Sequence, residues 1–229
     1  MLLTDHNTTL EDGYSVATAV MNRASRVVRC LKSWLEWEQC KEIVVIDWSS
    51  RFLVQNVIKN RGINDDRVKI IRKHNQKFFS RSKAWNLAIE NCSREKILRI
   101  DIDYVLKDQE ILNSVVSPVD SNRGFVSVRK NANLKGFCGF RQKDFLGVLG
   151  YNEDLEGWGY EDEDFYNRLV KNGIPQFHID SPKDFLFHIP HSKKMSVVNH
   201  KCKNRKKTLK ENIQKAGGNI PPWLNGFDK

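Results

Sequence analysis

The sequence predicts an α/β fold with a mostly parallel central sheet flanked by helices, and three observations predict it. Apolar strand-like runs alternate with helix-like segments four times between residues 14 and 100. Their connections are short, as successive crossover units in a parallel sheet require. The strand-like runs also end in polar residues, at Asn22-Arg23, Asp47 and Asp101-Ile102-Asp103. In such a sheet, ligands sit beyond the carboxyl ends of the strands, so these groups should gather on one edge.

Residues 14–21 hold Val16, Ala17, Ala19 and Val20 with little polarity and read as a buried strand. Residues 24–37 follow with Val27, Leu31, Trp34 and Leu35 at helical spacing. A β-branched run at 42–46 is the second strand, closed by Asp47-Trp48-Ser49-Ser50. A helix over 52–59, a strand over 68–71 and a helix over 82–90 with Ala84, Leu87 and Ala88 inward come next. The fourth strand, 96–100, runs straight into Asp101-Ile102-Asp103. Beyond this the pattern loosens, and no element is assigned to residues 104–123. Residues 124–128 and 136–140 read as strands and 142–149 as a short helix. Residues 162–172 make a clearer helix: its first turn is acidic, Phe165 and Leu169 are four apart, and Gly173 stops it. An extended stretch runs from Pro175 towards His188. There is no internal repeat. The tail after Lys194 is polar and basic, with a final turn at Gly217-Gly218 and Pro221-Pro222; its segment Lys201 to Lys207 reads either as a solvated run or as a lid closing over a diphosphate.

Composition narrows the classes. The chain has 229 residues, 40% hydrophobic and 29% charged, which suits one folded domain and not a disordered segment. No apolar run approaches the about 20 residues that span a bilayer. The N-terminus has neither a basic start nor a long apolar stretch, so the chain as given reads as cytoplasmic, without signal peptide or transmembrane segment. Five cysteines, widely spaced and without a CxxC pair, argue against a disulfide scaffold or zinc knuckle and read as small buried hydrophobes. The net charge of +10 suits a phosphate-bearing partner, and it is unevenly placed. Residues 193–215 hold nine Lys or Arg and one acid, whereas residues 153–164 hold seven carboxylates and no base. A nucleic-acid coat rarely carries so concentrated an acidic block, so the asymmetry suggests a site with a phosphate end and a carboxylate end.

Three motifs carry chemistry. Asp101-Ile102-Asp103 places two carboxylates at the end of an apolar strand, where hard oxygens suit Mg²⁺ or Mn²⁺ bridging a diphosphate; solvated acids in a strand-end turn are the plain alternative. Gly157-Trp158-Gly159-Tyr160-Glu161-Asp162-Glu163-Asp164 puts aromatic rings, which stack on sugars, beside carboxylates, which accept sugar hydroxyls or serve as general base. Asp162 as a helix N-cap is the alternative there; in either role the helix N-terminus favours its charged form, so its pKa is expected to be low, and as a base it would take the proton late. His188-Ile189-Pro190-His191 sets two histidines three apart around a stiffening proline, so that both could reach one ion.

Together these residues resemble the GT-A fold glycosyltransferases, most nearly the β-1,4-galactosyltransferase group and its bacterial chondroitin-polymerase-like relatives. Val20-Met21-Asn22-Arg23, Gly136-Phe137-Cys138-Gly139, the WGxEDxD stretch through Asn167-Arg168-Leu169, and His191-Ser192-Lys193-Lys194 carry the likeness over residues 14–200. The WGxEDxD stretch is specific and the DxD is not. The resemblance implies a single GT-A domain over 1–229, with a nucleotide-binding half over 14–105, an acceptor and metal half over 106–200 and a basic tail over 201–229. It implies an inverting, metal-dependent glycosyltransferase that moves a hexose or N-acetylhexosamine from a nucleotide-diphosphate donor, a UDP-sugar, to a saccharide or glycoconjugate hydroxyl.

By the same resemblance Asp162 is the catalytic base and Glu161 holds the acceptor, with Trp158 and Tyr160 lining the acceptor site. Asn22, Arg23, Asp47, Arg81 and Asp101 face the donor. Asp103, His188 and His191 hold Mn²⁺ or Mg²⁺. Tyr160 departs from the glycine common in the family, which suggests a narrower acceptor pocket. No nucleic-acid partner is expected; a peripheral contact with a membrane or with other glycosyltransferases is compatible with the charge. Two other readings stand beside this one. A nucleotidyltransferase acting on a sugar phosphate would share the sheet and metal, but Met21-Asn22-Arg23-Ala24-Ser25 lacks a glycine-rich phosphate loop. A basic nucleic-acid-binding module would interleave aromatics with Lys and Arg, and the basic tail has no aromatic before Trp223.

Overall fold

A computed structural model describes residues 13–128, 134–190 and 204–219. Its centre is a seven-stranded sheet built as the alternation requires. The first half runs β1 (Tyr14–Val20), α1 (Ala24–Leu35), β2 (Cys40–Trp48), α2 (Val54–Lys59), β3 (Val68–Lys73), α3 (Arg81–Glu90) and β4 (Lys96–Ile100). The second half adds β5 (Tyr104–Leu106), α4 (Gln109–Asp120), β6 (Phe125–Val128), β7 (Phe137–Arg141), α5 (Gln142–Gly147), α6 (Glu161–Lys171), β8 (Gln176–Ile179), β9 (Leu186–His188) and α7 (Arg205–Lys215).

The sheet order is β3-β2-β1-β4-β7-β6-β8. Strands β1 to β4 are parallel, β7 is antiparallel to both neighbours, and β6 pairs β8 in parallel. The chain builds outward from β1 to β3, then returns to place β4 on the other side of β1. That reversal opens a crevice at the carboxyl ends of β1 and β4, the position where such sheets bind ligands. Asn22-Arg23 leave β1 there and Asp101-Asp103 leave β4 there.

Side chains of a strand alternate between the two faces. Val16 and Val20, Ile43 and Val45, Leu98 and Ile100 join Leu31, Trp34, Leu112 and Val116 on the face of α1 and α4. Ala17, Val44, Ile46 and Ile97 join Trp85, Phe145, Phe165 and Leu169 on the face of α3, α5 and α6. Arg99 shares the parity of Ile97 and therefore enters the second cluster, a buried charge among aromatic rings.

Several elements were not legible in the sequence. Helix α4 is capped by Asp108, whose side chain accepts from the Ile111 backbone N–H, and it carries Pro118 in its last turn, which obscured its period. The tail is not simply solvated: Arg205–Lys215 is a helix capped by Asn204, with Asn212 and Ile213 buried. Cys30, Cys40, Cys92 and Cys138 are buried free thiols, and Cys202 lies outside the described residues. Among the described residues no helix is long and apolar enough to cross a membrane.

Candidate functional site

Helix α1 acts as a bracket for the Asp101–Asp103 turn. Cys30 Sγ donates to the Ile102 carbonyl at 3.0 Å, Trp34 Nε1 to the Tyr104 carbonyl at 3.0 Å, and Ser33 Oγ accepts from Leu106 N–H at 3.1 Å. These three side chains leave adjacent turns of one helix and pin every second residue of the segment, 102, 104 and 106. The other wall is β7: Asp101 N–H donates to the Gly136 carbonyl at 2.8 Å. A Cβ on Gly136 would stand 2.1 Å from Asp101 Oδ2, so only glycine lets the two segments approach this closely.

Asp103 is buried, at 3% exposure, and faces Arg23 Nη1 at 3.2 Å and His188 Nε2 at 3.6 Å through one oxygen, Oδ2. The β5–β9 ladder aligns Tyr104 with His188, and Ile189 N–H donates to the Asp103 carbonyl at 2.7 Å, so pairing sets the carboxylate–imidazole contact. Arg26 fixes the strand that follows, donating to the Ile189 and Pro190 carbonyls at 2.7 and 2.8 Å. Burial lowers the Arg23 pKa, partly offset by Asp103 and Asp101, and burial raises that of Asp101.

Two cis ligands of an octahedral Mg²⁺ or Mn²⁺, each about 2.1 Å from the ion, stand about 3 Å apart. The Asp103 Oδ2 to His188 Nε2 separation of 3.6 Å is near that spacing, and carboxylate with imidazole is a fitting donor pair. A metal there would compete with Arg23 for the same oxygen. Among the described residues no three of His, Cys, Asp or Glu form a ready cage. His191, assigned as a third ligand from the sequence, lies outside the described residues.

The remaining donor-side residues separate. Asn22 takes a left-handed backbone (φ 59°), and its Oδ1 accepts from Arg51 N–H at 2.8 Å, tying the end of β1 to the loop after β2. Asp47 is 1% exposed and already engaged, by Arg72 Nη1 at 2.6 Å, Ser50 N–H at 2.9 Å and Val54 N–H at 3.4 Å. It braces the loop after β2. Arg81, at the start of α3, pairs with Glu161 at 2.6 Å. Burial alone would raise the Glu161 pKa, but the Arg81 pair overrides it and holds the group below its ordinary value.

The acidic loop corrects two expectations. The N-cap of α6 is Tyr160, in the left-handed region at φ 78°, and Asp162 is the helix's second residue. Its pKa is not low. Burial, with Glu161 and Glu163 nearby, pushes it up to about 7 against the pull of Arg99 and Arg81. The helix dipole is outweighed because the carboxylate is turned inward, where desolvation is the larger effect. Asp162 Oδ1 contacts Arg99 Nη2, and Arg99 Nη1 stands 3.7 Å from Asp101 Oδ1. Arg99 itself lies 4.8 Å over the Trp85 ring and donates to Tyr151 Oη at 3.2 Å.

One buried guanidinium thus joins the carboxylate after β4 to the carboxylate opening α6. Sequence reading missed Arg99. The signal was present: a charged residue inside the apolar run Lys96-Ile97-Leu98-Arg99-Ile100 must find a buried partner.

Trp158 is half-buried, with the Arg205 guanidinium 4.7 Å over its ring. Tyr160 reaches the chain end: a Cβ on Gly218 would meet its hydroxyl at 2.5 Å. Its ring therefore braces the loop against the turn after α7. A non-glycine residue in the left-handed region costs about 1–2 kcal/mol, which explains why glycine suits this position elsewhere.

A family model described as the N-terminal domain of galactosyltransferase matches residues 127–192, the span from β6 through the acidic loop to the histidines. β-1,4-Galactosyltransferase 2 from Mus musculus is 25% identical over 120 residues, covering 47% of this chain and 32% of its own. The Homo sapiens protein is also 25% identical over 120 residues, with the same coverage. The chain therefore spans about a third of the length of these relatives.

Among solved structures, a mannosyltransferase from Pyrobaculum calidifontis, in complex with GDP-Man and Mn²⁺, superposes with a TM-score of 0.69 at 16% identity, covering 91% of this chain and 66% of that one. S. aureus TarS 1–349 with UDP-GlcNAc gives 0.67 at 15%, over 89% and 65%. Drosophila β1,4-galactosyltransferase 7 with xylobiose gives 0.59 at 14%, over 85% and 78%. The chain has the GT-A fold of these glycosyltransferases and is galactosyltransferase-like over residues 127–192.

Proposed function

We propose that the chain is a metal-dependent, inverting glycosyltransferase that moves a hexose or N-acetylhexosamine from a UDP-sugar to a hydroxyl of a saccharide or glycoconjugate. The observation that carries the reading is the network at the sheet's switch point. There Asp103 meets Arg23 and His188, while Arg99 links Asp101 to Asp162. Structural relatives complexed with Mn²⁺, UDP-GlcNAc and xylobiose support the classes of cofactor, donor and acceptor.

Asp103 and His188, with His191, would hold Mn²⁺ or Mg²⁺, which neutralises charge on the departing diphosphate. Arg23 stands beside that point and takes the anionic donor. Asp101 and the loop braced by Asn22 and Asp47 orient the donor. Glu161, held by Arg81, accepts an acceptor hydroxyl, and Trp158 offers a ring face. Asp162 takes the proton as that hydroxyl attacks the anomeric carbon from the side opposite the leaving nucleoside diphosphate. A carboxylate titrating near 7 matches a general base working at neutral pH. The test is a screen of nucleotide sugars for Mn²⁺-dependent hydrolysis without acceptor, repeated with Asp103→Ala. Hydrolysis in the wild-type protein and its loss in the variant, with unchanged melting, is the outcome expected. Equal hydrolysis by both refutes the metal assignment.

A further inference from the structure

We infer that α7 is a clamp on the acceptor loop and that Asn212 is its positioning residue. The inference rests on the glycosyltransferase reading for its catalytic consequence, though its geometry stands apart. Asn212 is 3% exposed, and its Nδ2 donates to two loop carbonyls, Gly159 at 2.8 Å and Glu156 at 3.0 Å. Both amide hydrogens of one buried side chain are thus spent on the segment that carries Trp158. The contacts continue along the helix. Lys215 Nζ donates to the Asp154 carbonyl at 3.1 Å, and a Cβ on Gly159 would stand 3.1 Å from Leu209 Cδ1. Arg205 covers one face of Trp158.

The loop needs an external support. Gly157, Gly159 and Tyr160 all have positive φ, at 78°, 99° and 78°, a backbone path without the regular ladder of a helix or strand. The carbonyls at 156 and 159 are answered from α7 instead. Glu161 and Asp162 follow the loop directly as the first two residues of α6, so any drift of the loop carries both carboxylates with it. The donor end is fixed separately, by α1 and by the β5–β9 ladder. Loosening α7 therefore impairs use of the acceptor and spares the donor.

Asn212→Asp tests this, because it keeps the size of the side chain and removes both donated hydrogens. Hydrogen exchange of peptides spanning residues 154–164 should quicken roughly tenfold or more, with exchange in β1 to β4 unchanged. Acceptor KM should rise or transfer kcat fall by roughly tenfold, while Mn²⁺-dependent donor hydrolysis and UDP affinity stay within about twofold. Leu209→Ala, a milder change on the half-buried face of the same helix, should shift the same peptides in the same direction and serves if Asn212→Asp does not fold. Unchanged exchange over 154–164 in a folded variant overturns the clamp. So does an equal loss of donor affinity and acceptor use. If wild-type protein turns over no nucleotide sugar while the exchange arm responds as expected, the clamp stands and the glycosyltransferase reading falls.

Discussion

Asp162→Asn separates the proposed catalytic role of one carboxylate from its structural one. In the first, Asp162 is the base; in the second, it is only the counter-ion that lets Arg99 be buried. The N-cap role is excluded by Tyr160. Asparagine preserves shape, and its oxygen can still accept from Arg99, so the aromatic cage formed by Trp85 and Tyr151 should persist.

The base role predicts a fall in transfer of roughly a hundredfold or more. It also predicts a pH signature. A base titrating at about 7 is mostly ionised at pH 8 and mostly protonated at pH 6, so wild-type kcat/KM should fall about tenfold between them. That limb should vanish in the variant.

The stability arm has the opposite sense. A carboxyl whose pKa is raised by folding from 3.8 to about 7 binds its proton more tightly in the folded state. Its stabilising contribution is present below pH 3.8 and is lost as pH rises through about 7. Wild-type protein should therefore lose stability from pH 5 to pH 8 relative to the variant. Transfer rates and thermal melts of both proteins across pH 5.5–8.5, with saturating donor, make the measurement. Near-normal transfer by Asp162→Asn, or persistence of the limb in it, removes Asp162 from proton transfer and leaves it as the partner of Arg99.

Other perturbations follow from the same geometry. Asp103→Ala should abolish Mn²⁺-dependent turnover and weaken UDP binding, read by calorimetry with and without metal; unaltered binding in Mn²⁺ would refute its role. Gly136→Ala places a methyl 2.1 Å from Asp101 Oδ2 and should raise the donor KM and cost about 1–3 kcal/mol in denaturant unfolding; a silent variant would show that the Asp101 position is unimportant. Arg99→Met strands Asp162 without its cation and should destabilise the fold by about 3–5 kcal/mol, whatever happens to the rate. Tyr160→Gly relieves a left-handed non-glycine residue but removes the brace on Gly218; an acceptor KM that moves with little change in melting temperature is the expected result.

The first half of the chain was legible because burial on both faces of a parallel sheet writes continuous apolar runs, and strand ends can be read from the polar residues that interrupt them. All four early strands and three helices were found within a few residues, and the polar groups at the ends of β1, β2 and β4 do share one edge. His188 was set beside Asp103 only by the family resemblance; the β5–β9 pairing that brings the two together is long-range and three residues long, and leaves no local signal. Helix α4 was hidden by Pro118 and its serine and valine content, whereas α7 was hidden by its polarity: few apolar residues dock it, and a buried asparagine does much of the holding. The raised pKa of Asp162 could not be read locally either. Sequence shows a carboxylate in the first turn of a helix; only the packing shows that it points inward, towards Arg99.

That inward turn makes the carboxylates after β4 and at the start of α6 one electrostatic unit. Arg99 packs on Trp85 and donates to Tyr151, so Asp101 and Asp162 are each positioned against the same buried cation. Displacing Asp101 from Arg99 would leave more of that charge to Asp162 and favour its ionised form. The coupling runs through a single side chain on β4, the strand whose crossing beside β1 creates the crevice. The same reversal of strand order that opens the binding edge also places, one residue before Ile100 and on the opposite face, the charge that links its two ends.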